Sequence, residues 1–242
     1  MGTGTETVDE LRRFGLKVAQ PGDGYRFSLD PLLLCDFSGV RAGERVIDLG
    51  TGCGVIPLIL ARQNGAGEIV AVELQKEMAE LAQSNAGMNG LAERINVIEA
   101  DLLTLRSRFS VSSFDLVVSN PPYRRPGTGK ISPRAGRDLA RHESTAGLAD
   151  FLAAAKYLVR PSGRICFIYH PSRLGEFMAV AAELKLAPLR LRMVHGDSLA
   201  QARMFLVELA KGRRGELVVL PPLLVYDGNG AHTAELNYVL EG

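Results

Sequence analysis

Val46-Ile47-Asp48-Leu49-Gly50-Thr51-Gly52-Cys53-Gly54 reads as a short apolar strand that runs into a loop with glycine at alternate positions. A helix over about 54–64 follows, with Pro57 in its first turn, where a missing N–H does least harm. The strand-then-helix pattern recurs outward from here. Strands are expected at about 69–73, 95–99, 114–119 and 164–169, with helices at about 75–89 and 147–160. Short, almost continuously apolar strands alternating with helices predict an α/β fold, a doubly wound and mostly parallel sheet. A helix over about 172–186 and two late strands, 189–195 and 203–210, bring the count to seven strands and close the sheet with an antiparallel hairpin.

The ends are less patterned. Residues 1–28 are polar and glycine-punctuated; Asp30-Pro31 then opens a short apolar helix, with Asp30 as N-cap. The tail carries one apolar run, Leu217 to Leu224, broken by Pro221-Pro222. With no repeat, low-complexity tract or linker in view, 1–242 is expected to be one domain: an extension over 1–40, a core over 41–210 and a tail over 211–242.

Of 242 residues, 46% are apolar, enough for a sizeable core. No apolar run reaches the roughly 18 residues that span a bilayer, and the N-terminus lacks the charged and apolar regions of a signal peptide. The expected location is the cytoplasm, with no membrane contact. Cys35, Cys53 and Cys166 are far apart and odd in number, and the four histidines are scattered. That excludes a disulfide framework and leaves no metal-ligand spacing; the cysteines are read as small apolar fillers. A formal net charge of +1 argues against indiscriminate nucleic-acid binding. Nothing in the sequence fixes an oligomeric state.

The glycine loop is not the G-x-G-x-x-G of a pyrophosphate site, and Asp48 just before it would repel a phosphate. A carboxylate there suits the ammonium of an amino-acid-bearing cofactor, directly or through water. Glu73, closing the next strand, is placed to accept from both hydroxyls of a ribose. Asp101, after the third strand, is placed to meet an adenine amino group. Three acids and a glycine loop at strand C-termini fit S-adenosylmethionine better than NAD or ATP. Read blandly, Asp48 caps a helix and the loop is a plain turn; the ordered set outweighs that reading.

Asn120-Pro121-Pro122-Tyr123 follows the apolar strand at 114–119. Two prolines fix φ, remove two donors and force a rigid bend. The Asn120 side-chain oxygen and the Pro121 carbonyl then accept both hydrogens of one planar NH2 group. Holding both N–H bonds favours a pyramidal nitrogen and aims its lone pair at an electrophilic methyl, and the two oxygens stabilise the positive charge that develops. Tyr123 would stack on the base. No strong general base is needed, so His142 is read as a surface residue. Arg124, Arg125, Lys130, Arg134, Arg137 and Arg141 crowd the next segment, read either as a candidate grip on nucleic-acid phosphates or as a solvated charged loop.

On these motifs the chain resembles the class I S-adenosylmethionine-dependent methyltransferases with the Asn-Pro-Pro-Tyr signature, over roughly residues 40–210. Within them it most resembles the bacterial tRNA-valine adenine-N6 methyltransferases, which modify the adenine 3′ to the anticodon. Tyr25-Arg26-Phe27-Ser28-Leu29-Asp30, Arg137-Asp138-Leu139-Ala140-Arg141-His142-Glu143, Pro221-Pro222-Leu223 and Thr233-Ala234-Glu235 carry this closer likeness. The resemblance implies that Gly50, Gly52, Gly54, Glu73 and Asp101 hold the cofactor, with Leu74, Leu102 and Asn120 beside it. It implies that Asn120, Pro121, Pro122 and Tyr123 hold the target amine, and that tRNA is the partner. Phe27 and Asp30 would lie near the cofactor's methionine end; from the residues alone, Phe27 is a hydrophobic staple and Asp30 a cap.

Three other readings compete. A protein glutamine-N5 methyltransferase acting on release factors uses the same clamp on an amide, but its class carries a longer helical N-terminal domain than the fewer than 50 residues before the first strand here. A DNA adenine methyltransferase needs a target-recognition region for which the chain has little room. A cofactor-binding module without catalysis has no use for the clamp.

Overall fold

The computed structural model describes residues 6–22, 28–63, 65–122, 146–213 and 215–241. An antiparallel ribbon comes first, β1 (Glu6–Leu11) and β2 (Leu16–Pro21). Next are α1 (Asp30–Ser38), β3 (Val46–Leu49), α2 (Val55–Arg62), β4 (Ile69–Glu73), α3 (Lys76–Met88) and β5 (Ile95–Glu99). A 3-10 segment (Leu102–Ser107), β6 (Phe114–Ser119), α4 (Leu148–Leu158), β7 (Val159–Tyr169), α5 (Leu174–Glu183), β8 (Leu186–His195) and β9 (Ala202–Lys211) follow. The tail adds β10 (Val218–Val219), β11 (Leu223–Leu224) and α6 (Ala234–Glu241).

The main sheet has the order β10-β8-β9-β7-β6-β3-β4-β5, with β11 also paired to β8. Strands β5, β4, β3, β6 and β7 are parallel, and β9 is antiparallel to both neighbours. The seven expected strands are all there. The tail turns them into a nine-stranded sheet, because its two apolar pairs flank Pro221-Pro222 and lie parallel to β8 at the sheet edge. An edge tolerates the missing proline donors that a central strand would not.

Alternate residues of the central strands serve opposite cores, which is why their sequence is apolar throughout. Val46, Ile69, Ala71, Leu116, Val118, Cys166 and Ile168 face α1, α2 and α6. Ile47, Leu49, Val70, Val72, Val117, Ile165 and Phe167 face α4 and α5. Phe167, Tyr169 and Phe205 close around Phe177 of α5, with Phe177–Phe205 centroids 5.4 Å apart at 84°. All three cysteines are free and buried. Among the described residues no helix is long and apolar enough to cross a membrane.

Three local expectations need correction. Residues 6–21 are not irregular: Leu16, Val18 and Ala19 are buried, and Gly15 at φ +59° ends the 3-10 turn that joins the ribbon. Asp30 is the first residue of α1 rather than its N-cap; Leu29 takes that place, its carbonyl accepting from Leu33 N at 3.0 Å. There the Asp30 charge complements the helix N-terminus instead of capping it. The tail is not featureless beyond its apolar run: Thr233 opens α6, its Oγ1 accepting from Leu236 N at 3.2 Å and donating to Leu224 O at 2.7 Å.

Candidate active site

The carboxyl ends of β3, β4, β5 and β6 converge on one edge of the sheet, the usual ligand side of a doubly wound fold. Gly50, Gly52 and Gly54 follow β3 with φ of +77°, +57° and +85°, a region L side chains avoid. Gly50 N and Thr51 N both donate to Val72 O at 2.9 Å, folding the loop back over β4. A Cβ on Gly54 would stand 3.1 Å from the Ala82 Cβ, so the third glycine lets α2 and α3 pack closely rather than opening room for a ligand.

Asp48 is completely buried beneath this loop, and neither carboxylate oxygen has a hydrogen-bond partner; nor does the buried Thr51 Oγ1. Burial is the main cause that pushes the Asp48 carboxyl up to about 7. Thr51 pulls it down, being close enough to favour the anion although no bond of acceptable geometry forms, and the Glu73 charge raises it. Orphaned polar atoms at such depth are costly in the bare protein. They fit a cationic group, or an ordered water that relays to one, at the loop.

Glu73 ends β4, buried, and its carboxylate is already engaged. Oε2 accepts from Gly52 N at 2.9 Å, and Oε1 accepts from Leu74 N at 3.0 Å and Gln75 N at 2.9 Å. This ties the glycine loop to the start of α3. Oε2 keeps lone-pair capacity for a hydroxyl; Oε1 is filled. Asp101 follows β5, its Oδ1 accepting from Leu103 N at 2.9 Å as the cap of the 3-10 segment. Leu74 and Leu102 beside these acids are half-buried.

β6 delivers Asn120 to the same edge. Ser119 Oγ donates to Leu49 O at 2.7 Å, pinning the tip of β6 to the tip of β3 one residue before the motif on one side and the glycine loop on the other. Asn120 is half-buried, Pro121 buried and Pro122 exposed. Tyr123, Phe27 and the cations Arg124, Arg125, Lys130, Arg134, Arg137 and Arg141 lie outside the described residues, as does His142. The structure therefore brings together Asp48, the glycine loop, Glu73, Asp101 and Asn120-Pro121; Asp30 stands at the start of α1.

Asn85 escaped the sequence reading. Fully buried on α3, it accepts from Ala19 N at 2.8 Å and donates to Ala19 O and Cys53 O, each at 2.9 Å. One turn on, Asn89 repeats the grip at Lys17, accepting from its N at 2.8 Å and donating to its O at 2.7 Å. Two amides four residues apart act as a partner strand for β2, and Asn85 also holds the glycine loop from behind. The available signal was a pair of poor helix formers at i, i+4 on one helix face.

A cleft of about 370 Å³ lies elsewhere, between Arg13, Asp36, Gly39, Arg62 and Tyr238. It sits at the C-terminal ends of α1 and α2, on the sheet edge opposite Asn120, and takes no part in the site. Among the described residues no group of His, Cys, Asp and Glu is placed to hold a metal.

Comparison with known proteins agrees with this geometry. Residues 31–172 match the methyltransferase small domain model. A protein named tRNA1(Val) (adenine(37)-N6)-methyltransferase from Aeromonas hydrophila is 32% identical over 195 residues, 78% of this chain and 80% of that one. Its namesake from Porphyromonas gingivalis strain W83 is also 32% identical, over 73% and 71% of the two chains. In fold, a crystal structure described as a predicted O-methyltransferase from Agrobacterium tumefaciens superposes with a TM-score of 0.71 at 23% identity, covering 87% of this chain and 94% of that one. The chain belongs to the methyltransferase small domain family, and within it to the group of the tRNA1(Val) (adenine(37)-N6)-methyltransferases.

Proposed function

We propose that this chain is an S-adenosylmethionine-dependent enzyme that methylates N6 of an adenine in tRNA, beside the anticodon of a valine tRNA. The observation that carries the reading is the pinned pair of strand tips: Ser119 on Leu49 sets the Asn120-Pro121 clamp next to the glycine loop and the orphaned Asp48. The names of the two relatives supply the substrate.

S-Adenosylmethionine, when bound, supplies an electrophilic methyl on sulfonium. Asp48, buried beneath the loop, would hold the cofactor's ammonium through a water, because its own surface is closed. Glu73 Oε2 would accept from a ribose hydroxyl while Oε1 keeps holding the α3 start, and Asp101 would accept from the adenine amino group. The Asn120 side-chain oxygen and Pro121 carbonyl hold both amino hydrogens of the target, so the nitrogen lone pair points at the methyl. Alignment of this kind supplies roughly 7–11 kcal/mol of barrier reduction. Tyr123 stacks on the adenine, and Arg124, Arg125, Lys130, Arg134, Arg137 and Arg141 take flanking phosphates, which lets a base be drawn out of a structured loop.

The enzyme works as one unit of extension, core and tail. Support comes from the shared apolar core, in which Leu16 and Val18 of the ribbon and Leu236 and Val239 of α6 join the central strands. The test is incubation with methyl-labelled S-adenosylmethionine and, in separate arms, total tRNA, release factor and duplex DNA. Label in tRNA, recovered as N6-methyladenosine, is expected; label in the release factor alone would establish glutamine as the target instead.

A further inference from the structure

Beyond Asn120 the sheet continues through β7, β9 and β8 to β11, away from the cofactor strands. β7 and β8 run parallel to β6 in the stack, and β9 runs back between them. Tyr169-His170, His195-Gly196 and Ala202-Arg203 therefore emerge on the same edge as Asn120. β11 joins them: Leu224 is in register with His195, Val225 N donates to His195 O at 3.0 Å, and Tyr226 N donates to Gly196 O at 2.8 Å. β8 is three strands from β6, or ~14 Å at the usual strand spacing. A polynucleotide whose base sits at Asn120 can run along this edge.

What the edge displays is unusual for a solvated rim. Leu199, in the β8–β9 turn, is 96% exposed, and Tyr226 is 39% exposed. Tyr226 lies against exposed His232, with ring centroids 5.4 Å apart and planes tilted by 32°. Arg203 is exposed, has no ion pair among the described residues, and lies across Gly196, where an added Cβ would come within 3.4 Å of its guanidinium. His170 is exposed as well. One exposed leucine means little. An apolar tip, an aromatic pair and an unpaired arginine on one edge match single-stranded RNA, which offers base faces and phosphates together.

Two acids brace the turns of this edge. Asp197 Oδ1 accepts from Leu199 N at 2.8 Å and Ala200 N at 2.9 Å. Asp227 Oδ1 accepts from Asn229 N at 2.8 Å and Ala231 N at 3.0 Å. In each, one carboxylate oxygen stiffens its own turn, so Leu199 and Tyr226 are presented on pre-set loops and lose little freedom on binding.

We infer that this edge, with Tyr226 and Leu199 against unpaired bases and Arg203 against a phosphate, contacts RNA in addition to the arginines of the 124–141 sequence. The inference rests on the tRNA reading above. The experiment uses the full chain with an unmodified valine tRNA transcript, comparing wild type with Tyr226→Ala, Leu199→Ser and Arg203→Ala. Tyr226→Ala is expected to weaken tRNA binding about 5- to 150-fold, the span of one lost base–aromatic stack. Arg203→Ala should lower the slope of log K against log salt by about 1. S-Adenosylmethionine affinity and melting temperature, read in parallel, should not move; this separates loss of contact from loss of fold. Wild-type tRNA affinity and salt slope in all three variants would overturn the surface and leave the tRNA assignment standing. A wild-type protein that methylates a protein amide and no tRNA would overturn both.

Discussion

Replacing Asn85 by Ala removes three hydrogen bonds at once from a site that water does not reach. Ala19 N, Ala19 O and Cys53 O lose the amide that lay 2.8 to 2.9 Å away. A buried group left without a partner costs about 1–3 kcal/mol, and water entering the vacated space recovers part of it. The net expectation is a loss of about 3 kcal/mol, or ~6–12 °C in melting temperature for a chain of this size. Asn89→Ala deletes a comparable set of bonds, to Lys17 N, Lys17 O and Asn85 O, but at the exposed end of the same ladder. Water replaces those, so its cost should stay under about 1 kcal/mol. Asn85→Asp should be worse than Asn85→Ala, since a carboxylate would face two carbonyl oxygens in the interior. The assay is urea unfolding of all three variants, with S-adenosylmethionine affinity measured alongside. Asn85→Ala should weaken the cofactor as well, because Cys53 loses its anchor. Equal destabilisation by Asn85→Ala and Asn89→Ala would refute burial as the deciding factor.

Asp48 makes a pH prediction with a definite sign. Its folded pKa of about 7 lies above the ordinary 3.8, so the bare protein gains stability from it below pH ~4 and loses that gain as pH rises to about 7, by up to about 4 kcal/mol. Asp48→Asn should therefore be more stable than wild type at pH 8 and no more stable at pH 4; a difference independent of pH in unfolding measurements would contradict this. Because a cation bound nearby favours the ionised form, wild-type cofactor affinity should also climb between pH 6 and 7 and Asp48→Asn should not share the climb. Gly54→Ala combines φ of +85° with a Cβ 3.1 Å from Ala82, and should cost about 2 kcal/mol or more in thermal unfolding. Joint replacement of Arg134, Arg137 and Arg141 by Ala should weaken tRNA binding and flatten its salt dependence, with wild-type salt slopes as the contrary result.

The central strands were legible because burial on both faces leaves a continuous apolar run, and β3 to β7 announce themselves that way. β1 was not, because its half-buried face carries Thr7 and Asp9 while Val8 is exposed, and its partner β2 shows only Leu16, Val18 and Ala19 around Lys17; the cue was Gly15. The tail strands are two residues each and acquire their identity only from β8. Asp48, the glycines and Asn120-Pro121 could be placed from spacing alone, since chemistry at strand ends is local. Ser119 on Leu49 and Asn85 on Cys53 could not, because they join residues 70 and 32 positions apart. Glu73 was read as a ribose ligand, yet its first duty in the fold is to three backbone N–H groups.

The most direct test is Asn120→Ala, with methyl transfer to valine tRNA and S-adenosylmethionine affinity measured on the same preparation. A clamp that acts only on the reacting nitrogen predicts unchanged cofactor affinity and a transfer rate down by about 10²- to 10³-fold, the usual price of a lost transition-state partner. Transfer at the wild-type rate would show that the amino group is held by something other than the Asn-Pro bend, and the account would fail at its centre.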